Sequence, residues 1–427
     1  MDREDGAQRQ WSVAQACLRL DKAKKLFLNK LILRLNIMSP SVFFEILMWI
    51  SFSTICLFYF SYFILLSYFS RRSRSNRKEL EYTYPSLSLI VPVYNEEKII
   101  AKKIQNIEQL IYPNDKMEVI FVDGHSTDRT PEIIMDHANK ARRPVRLIKQ
   151  TERNGYTGAV TEGILHSKGE VIVTTDAASY HYPDAMQCLV RHFVNSEIGA
   201  VTGKEIVVGD DKDLGPQMER SYRFFYDFMR TAETKIDSTP DTKGEILAAR
   251  KEVCNDLIPK LSHSSNASFD SCVPYQAKLM GYRTLYDEQA KYYEYAPASF
   301  ADRLRQQIRR ATVLIGAMFL FKNMLLRKKF GKFGLLIFPV HFALECVLPS
   351  VFMVGMFALV VSTVLNPLDV VLLWVIVAIA AIASQKSRSF LFAFVQSQLA
   401  LFVAIFRLAG RRESLYIESI PSTRTIT

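Results

Sequence analysis

Residues 87–97 read LSLIVPVYNEE, a run of aliphatic side chains that ends in a polar, acidic tip. The same design recurs in residues 118–130, EVIFVDGHSTDRT, and in residues 169–185, GEVIVTTDAASYHYPDA. Short β-branched and aliphatic runs are typical of buried parallel strands. Open α/β sheets bind ligands at the carboxyl ends of such strands. Three acidic tips in succession therefore predict a nucleotide site at one edge of a parallel sheet.

Strand and helix patterns alternate along the chain around these tips. Pro131 and Pro183 mark early helix positions, where a missing N–H is tolerated. The order predicts an α/β fold in which helices cover both faces of a mainly parallel sheet. Strands are predicted at 86–93, 118–122, 144–148, 170–175 and near 198–202, and helices near 96–111, 130–141, 158–167 and 183–194.

Residues 205–300 carry a weaker pattern. They predict helices at 217–235 and 251–258, an edge strand near 283–286, and loops between them. Residues 301–329 are helical, first basic and then apolar, as expected for a helix that lies on a membrane surface. Pro339 and Pro349 are expected to break the stretch that follows.

Two apolar regions flank the middle of this 427-residue chain. Residues 46–69 contain no charged side chain and are long enough to cross a bilayer. Near the C-terminus, residues 346–365 are also long enough, whereas 370–384 and 389–406 fit either a short span or an interfacial helix. The chain is therefore expected to be a multi-pass protein of the cell membrane.

The net charge of +11 is concentrated at the membrane edges of the middle domain. Basic residues follow the first apolar segment at 71–78 and precede the C-terminal block at 322–332. The positive-inside rule then predicts a cytoplasmic domain, and such clusters attract anionic lipid headgroups. The expected partner of this charge is the lipid bilayer and not nucleic acid. Six dispersed cysteines without a CxxC pair fit a reduced compartment.

These patterns divide the chain into six parts. Residues 1–41 form a basic extension, of which 11–37 is partly amphipathic, and Met38 is an alternative start. The other parts are a transmembrane helix at 42–70, the α/β domain at 79–300, amphipathic interface helices at 301–332, transmembrane helices at 333–407 and a tail at 408–427.

The acidic tips supply candidate ligand-binding side chains. Glu96 can hold a ribose together with backbone groups, or it can stabilise a helix N-terminus. Asp123 can accept from a uracil N–H or a ribose hydroxyl, or it can close a turn, as is expected of Asp128. Asp176 can hold a divalent cation and a diphosphate, because hard cations take oxygen ligands, or it can cap its turn.

Other candidates are less distinctive on their own. Asp270 follows a loop pattern, in which a lone acid is usually solvated. Arg309 and Arg310 can clamp phosphates through charge-assisted hydrogen bonds, or they can face anionic lipid. His181 is expected to be a solvated loop residue or to assist the diphosphate end beside Asp176.

Together these segments resemble glycosyltransferase family 2, the inverting nucleotide-sugar transferases of GT-A fold, and the apolar flanks resemble its membrane-integrated branch. The resemblance spans about residues 86–310 and rests on PVYNEE, the DGHSTD turn, DAASYHYPDA and RQQIRR. It implies a Mg²⁺ or Mn²⁺ ion at Asp176, the first acid of a DxD motif, and a general base at Asp270. It implies donor binding by Pro92, Tyr94, Glu96, Asp123, Asp176, Gln306, Arg309 and Arg310.

Three positions depart from the family pattern. Ala178 stands where DxD has its second acid, which argues for weaker metal binding. Arg310 stands where the QxxRW motif has tryptophan, which argues against processive synthesis. Phe269 precedes the expected base where the family usually has an acid.

The resemblance implies a membrane enzyme that transfers a sugar, with inversion, from a nucleotide-sugar donor that is expected to be a UDP-sugar. The expected acceptor is membrane-associated, either a lipid-linked glycan or a growing polysaccharide. A processive synthase is one alternative, and a catalytically silent nucleotide-sugar-binding protein is another because of Ala178. A dinucleotide-dependent oxidoreductase is disfavoured, because no G-x-G-x-x-G follows the first strand.

Overall fold

The computed structural model describes residues 39–72, 83–209, 214–262, 266–295 and 300–410. Most of the predicted N-terminal extension, most of the tail and part of the basic cluster at 71–78 lie outside the described residues. The helices are α1 Pro40–Arg72, α2 Ile100–Glu108, α3 Thr130–Ala138, α4 Gly155–His166, α5 Ala185–Val190, α6 Leu214–Ile236, α7 Lys251–Leu261, α8 Phe269–Leu279, α9 Phe300–Leu320, α10 Phe333–Leu365, α11 Pro367–Ala383 and α12 Gln385–Ala409. The strands are β1 Leu87–Val93, β2 Met117–Asp123, β3 Val145–Lys149, β4 Val171–Thr174, β5 Tyr180–His181, β6 Ile198–Val208, β7 Leu247–Arg250 and β8 Arg283–Tyr295.

The strands form one sheet in the order β3-β2-β1-β4-β7-β6-β8-β5. β1 pairs in parallel with both β2 and β4, and β2 pairs in parallel with β3. These pairings confirm the predicted parallel arrangement, with β7 running antiparallel to its neighbours β4 and β6. Because β2, β1 and β4 are adjacent, the three acidic tips lie side by side.

Pro92 is accommodated in the central strand β1 because the neighbouring strand β4 stops pairing with β1 before it reaches Pro92. β4 pairs with β1 only as far as Ile90, whose carbonyl accepts the N–H of Thr175 at 3.1 Å. On the other side, the carbonyl of Val93 accepts the N–H of Gly124 at 2.9 Å. Successive residues direct their backbone groups to opposite sides of a strand. The missing N–H of Pro92 therefore lies on the side that β4 has already left.

The sheet separates two hydrophobic cores. Leu89 and Val91 pack in one core with Ile104 of α2, whereas Ile90 packs in the other with Ile164 of α4. Burial on both faces explains why β1 reads as a continuous aliphatic run, and it confirms that helices cover both faces. Each such fully buried side chain contributes about 1.5–3 kcal/mol to stability.

The second half of the sheet differs from the sequence prediction. The strand expected near 283–286 is not at an edge, because β8 runs over 13 residues between β6 and β5. β6 continues to Val208 in order to pair with it. β7 has only four residues, LAAR, which are too few to show the alternating hydrophobic pattern of a strand. The sequence therefore did not predict this strand.

Three helices among the described residues are long and apolar enough to cross a membrane, namely α1, α10 and α12. A shorter apolar helix, Pro367–Ile379, lies within α11. The expectation that Pro339 and Pro349 break α10 is wrong. π-helical turns at Phe333–Ile337 and Ala343–Val347 alternate with α-helical turns, and such wider turns accommodate prolines within a helix.

The described chain forms two compact units. The smaller comprises residues 39–55 and 354–378, in which Met48 packs with Ala358 and Leu359. The larger comprises residues 56–353 and 379–410 and contains the sheet and all the candidate site residues.

Candidate active site

The first two acidic tips are tied together by hydrogen bonds. The Asn95 N–H donates to Ser126 Oγ at 2.9 Å, and Asn95 Oδ1 accepts the Thr127 N–H at 2.8 Å. The Glu96 N–H donates to Thr130 Oγ1 at 2.7 Å. These contacts explain the spacing of polar residues in both loops, since each loop satisfies the backbone groups of the other.

The predicted nucleoside-binding residues lie at this edge of the sheet. The Asp123 carboxylate is buried and accepts the Ser126 N–H at 3.1 Å, so it also closes its own turn. The guanidinium of Arg153 lies 3.6 Å from the centre of the Tyr94 ring, and Glu96 is buried beside the same loops. The sheet thus collects Pro92, Tyr94, Glu96 and Asp123 at one edge.

Asp128 has the structural role predicted for it. Its Oδ1 accepts the N–H of Thr130, the first residue of α3, and its Oδ2 accepts the Glu97 N–H, both at 3.0 Å. Burial would raise the pKa of Asp128, but these hydrogen bonds lower it. Asp128 is therefore a helix-start acid.

The third tip carries Asp176, which is partly exposed in surroundings rich in charge. Partial burial and the nearby Glu245 carboxylate raise the pKa of Asp176, and Asp270 adds to this effect. The Arg309 and Lys103 cations oppose it. The fold therefore brings Asp176, Asp270 and Arg309 into one electrostatic neighbourhood, although they are far apart in sequence.

Asp270 does not lie in a loop, as the sequence predicted, but in the first turn of α8. A polar start and an internal proline gave this helix a loop-like pattern. The Asp270 carbonyl accepts from Thr242 Oγ1 at 2.6 Å. Burial raises the pKa of the Asp270 carboxyl, and a hydrogen bond from Ser268 partly offsets the rise. A half-buried carboxylate with a raised pKa is suited to accept a proton.

Tyr156 is a site residue that sequence analysis missed, because it lies in an ordinary helical pattern. A Cβ added to Gly244 would lie 2.6 Å from the Tyr156 hydroxyl oxygen and 3.2 Å from the carboxyl carbon of Asp270. The turn Gly244–Ile246 is therefore held closely between these side chains. Burial and the Asp176 charge raise the pKa of Tyr156, so its hydroxyl stays a hydrogen-bond donor.

Lys103 is a second missed residue, since a lysine on an amphipathic helix is normally solvated. It is fully buried, and its Nζ donates to Thr175 Oγ1 at 2.8 Å and to the carbonyl of Ser179. Burial lowers the pKa of Lys103 to about 7. The side chain thereby fixes both ends of the turn that carries Asp176.

The three motif residues of α9 have different environments. Gln306 is buried. The Arg310 guanidinium donates to Glu245 at 2.9 Å and lies 3.7 Å from Glu294. Arg309 makes no hydrogen bond or ion pair with any residue that the structure describes, although it interacts electrostatically with Asp176. Arg309 is thus available to an anionic ligand, whereas Arg310 is already engaged by carboxylates.

The prediction that His181 is a solvated loop residue is wrong. The side chain is buried, and its Nε2–H donates to the carbonyl of Glu245 at 2.9 Å. Its backbone N–H donates to Asn106 Oδ1 at 2.9 Å. Burial and the Lys103 charge lower the pKa of His181 to about 3, so the imidazole is neutral. His181 therefore holds the backbone of Glu245.

The acids of this site determine what a cation could bind. Within the described ranges, no group of three or more His, Cys, Asp or Glu side chains is arranged to hold a metal ion. Asp176 lies in an electrostatic neighbourhood with Glu245 and Asp270, whose negative charges raise its pKa in addition to burial. One protein carboxylate together with a ligand diphosphate fits a Mg²⁺ or Mn²⁺ ion, which usually keeps several ligands from substrate and water.

The comparisons with known proteins agree with this geometry. Residues 88–258 match the model of Glycosyl transferase family 2. A dolichyl-phosphate hexose transferase of Haloferax volcanii is 30% identical over 178 residues, which cover 42% of this chain and 72% of that protein. The chain belongs to glycosyltransferase family 2.

Other family 2 relatives match a smaller part of this chain and of their own length. A β-monoglucosyldiacylglycerol synthase of Nostoc sp. is 29% identical over 166 residues, or 38% of this chain. The chain spans about a third of that relative, 35% of its length.

A solved structure supports the fold. The mannosyltransferase PcManGT from Pyrobaculum calidifontis, in complex with GDP-Man and Mn²⁺, matches with a TM-score of 0.70. The match covers 87% of this chain and 99% of that one at 24% identity. This family 2 glycosyltransferase therefore has a GT-A-like fold, as the sequence predicted.

Proposed function

We propose that this glycosyltransferase moves a sugar, with inversion, from a nucleotide-sugar donor to an acceptor in the membrane. The observation that carries the proposal is the position of Asp176 just after the carboxyl end of β4, where its charge interacts with those of Asp270 and Arg309. It supplies a proton acceptor and a free guanidinium around a site for a diphosphate. The family membership favours nucleotide-sugar chemistry.

The donor is proposed to bind along the three tips. Pro92, Tyr94, Glu96 and Asp123 hold the nucleoside, and a UDP-sugar is the proposed donor because the Asp123 carboxylate can accept from the uracil N–H. Asp176 binds at the ribose and diphosphate end. Gln306 supports α9 from its buried position, and Arg309 donates to the diphosphate oxygens.

The proposed reaction is a single displacement at the anomeric carbon. Asp270 takes the proton of the attacking acceptor hydroxyl, and the nucleoside diphosphate leaves with the electrons of the broken glycosidic bond. Arg309 stabilises the departing charge, while Arg310 acts indirectly by holding Glu245. A divalent cation bound at Asp176 would supply additional charge neutralisation of the diphosphate.

The acceptor is proposed to be a lipid-linked glycan or growing polysaccharide at the cytoplasmic face of the cell membrane. The catalytic residues of α9 are followed directly by basic residues at 322–332 and then by α10, which is apolar and long enough to span. The Nostoc and Haloferax relatives carry names of lipid-directed transferases. Arg310 at the tryptophan position favours single addition over processive synthesis.

The decisive experiment is a panel of UDP- and GDP-sugars offered to the full chain in nanodiscs, with nucleoside diphosphate release as the readout. We expect release with one UDP-sugar and greater release when membrane acceptor lipids are added. The GDP-sugars include GDP-Man because PcManGT holds it. Donor binding without release under any condition would instead support a silent nucleotide-sugar-binding protein.

A further inference from the structure

Glu233, near the end of α6, collects hydrogen bonds from three separate parts of the chain. Its side chain is completely buried. Glu233 Oε1 accepts from the Tyr62 hydroxyl of α1 and from His341 Nε2 of α10, each at 2.7 Å. Glu233 Oε2 accepts from Thr239 Oγ1 at 3.1 Å. One carboxylate therefore joins two helices that are apolar and long enough to span a membrane to the chain that follows α6.

The segment that begins at Thr239 leads to the proposed general base. Thr239 Oγ1 also accepts the Asp241 N–H at 3.4 Å, and the next residue, Thr242, donates its hydroxyl to the Asp270 carbonyl at 2.6 Å. Gly244 then packs against the Asp270 side chain, since an added Cβ would lie 3.2 Å from the carboxyl carbon. This segment therefore connects the buried carboxylate of α6 to both the backbone and the side chain of Asp270.

A second acid, one helical turn further along the chain, makes a parallel connection. Asp237 Oδ1 accepts from Lys278 Nζ of α8 at 2.6 Å, and Asp237 Oδ2 accepts the N–H of Phe333, the first residue of α10, at 3.2 Å. α8 is the helix whose first turn carries Asp270. The two acids therefore tie α10 both to the segment that contacts Asp270 and to the helix that contains it.

The chemistry of this junction favours orientation over mere attachment. Apolar packing already holds α8 on α10, since the centres of the Tyr275 and Phe338 rings lie 4.9 Å apart. Burying a carboxylate is costly even when it is paired, and apolar side chains of similar volume often stabilise a protein as well or better. Hydrogen bonds restrict the distances and angles between their partners, whereas apolar contacts are not directional. Glu233 and Asp237 therefore fix one arrangement of the segments around Asp270.

We propose that Glu233 is a positioning residue that orients Asp270 with respect to helices α1 and α10. This inference rests on the proposed role of Asp270 as general base, and Glu233 acts on it through Thr239 and the chain after it. An acceptor in the membrane would lie beside the spanning helices, whereas a general base must come within about 3 Å of the acceptor hydroxyl. A displacement of about 1 Å can cost about 100-fold in rate, so turnover depends on the alignment of these two parts.

Hydrogen exchange tests the connection without any catalysis. Tyr62→Phe and Thr239→Val each remove one hydroxyl donor to Glu233 and keep most of the shape of the side chain. In the full chain in nanodiscs, without donor, we expect amide exchange in residues 242–246 and 269–273 to rise by about fivefold or more, the effect of one lost hydrogen bond. Unchanged exchange in both folded variants would overturn the inference.

The matched controls remove hydroxyls from carboxylates elsewhere in the domain. Tyr282→Phe loses a donor to Glu252 at 2.6 Å, and Thr231→Val loses a donor to Glu288 at 2.7 Å. Neither bond involves the residues of this connection, so exchange in the same two stretches should stay at the level of the parent protein. An equal rise in the controls would show that the effect is not specific to Glu233 and would count against its role.

Turnover separates positioning from a purely structural role. Rates are expressed per UDP-binding site, so that unfolded protein does not contribute. We expect Tyr62→Phe and Thr239→Val to lower kcat by about tenfold or more, while the dissociation constant of UDP changes by less than about twofold. Thr239→Ser keeps the hydroxyl and should recover most of the parent kcat.

The two readouts keep this inference distinct from the proposed function. A kcat per site equal to that of the parent protein in both variants would overturn the positioning role of Glu233. If the parent protein itself transferred no sugar, the proposed function would fail, and the exchange measurement alone would decide whether Glu233 holds the segments around Asp270.

Discussion

Arg310 donates to the carboxylate of Glu245 at 2.9 Å, and this ion pair joins the helix that follows the sheet to the turn packed against Asp270. Burial acts to raise the pKa of Glu245, but Arg310 and Lys243 lower it and keep the carboxylate ionised. Arg310 occupies the position at which the family motif has tryptophan. Its role here is therefore to balance a buried charge that a tryptophan could not balance.

Arg310→Trp, which restores the family residue, is expected to damage this protein. It leaves the mostly buried Glu245 carboxylate without its ion-pair partner, and a buried polar group left without its partner costs about 1–3 kcal/mol. We expect a lower thermal midpoint and lower donor turnover. Adding Glu245→Gln should recover part of the midpoint, because it removes the uncompensated charge.

The matched control is Arg305→Trp, five residues earlier on α9, where the arginine side chain is 77% exposed. It makes the same chemical change without exposing a buried carboxylate, so its midpoint should stay close to that of the parent protein. Equal damage from both tryptophan variants would show that the Glu245 pair is not the cause.

Asp270→Asn tests the assignment of the general base. If Asp270 accepts the acceptor's proton, the variant should lose about 10²–10⁴-fold in turnover, while the dissociation constant of the nucleoside diphosphate changes little. Asp302→Asn provides the comparison, because Asp302 also lies in the first turn of a helix. A helix-dipole role alone is worth about 0.3–1 kcal/mol and would affect both variants similarly in a thermal melt. Near-normal turnover of Asp270→Asn would exclude the assignment.

Sequence analysis predicted the half of the domain in which local pattern and tertiary structure agree. β1, β2 and β4 are buried on both faces, so their aliphatic runs were recognisable and their acidic ends marked one edge of the sheet. The loop predicted around Asp270 is wrong because the polar start of α8 resembles a loop. β7 was not predicted because it is too short to show an alternating pattern. In both cases the tertiary partners decide the structure.

The residues missed at the site share a different cause. Lys103 and Glu245 are charged side chains that sequence patterns place in solvent, but each is buried by contacts with chain segments distant in sequence. His181 is similar, because its partner is the backbone of Glu245. Buried polar groups are specified by pairing and not by hydropathy, so a single sequence leaves them unmarked.

A further prediction concerns the binding of a divalent metal ion at Asp176. We expect EDTA to abolish nucleoside diphosphate release and Mn²⁺ to restore it, because one carboxylate and the donor diphosphate can share a cation. Asp176→Asn should weaken the Mn²⁺-dependent thermal stabilisation of the UDP-bound protein by about tenfold in metal concentration, given the loss of one charged ligand. Asp184→Asn, an exposed acid in the same segment, should not. Release that is insensitive to EDTA would remove the metal from the reaction.

The lowered pKa of His181 predicts how the stability of the protein depends on pH. Its pKa is about 3 in the folded protein and about 6.5 in an unfolded chain, so the unfolded chain binds the proton more strongly between these values. The stability that His181 contributes is complete above pH 6.5 and decreases as the pH falls, by about 1.4 kcal/mol per unit. His181→Gln can keep a donor to the Glu245 carbonyl but does not titrate. Between pH 7 and pH 5 its thermal midpoint should therefore fall less than that of the parent protein, whereas His166→Gln, at an exposed position, should follow the parent. Parallel curves for the parent and His181→Gln would contradict a buried, neutral imidazole.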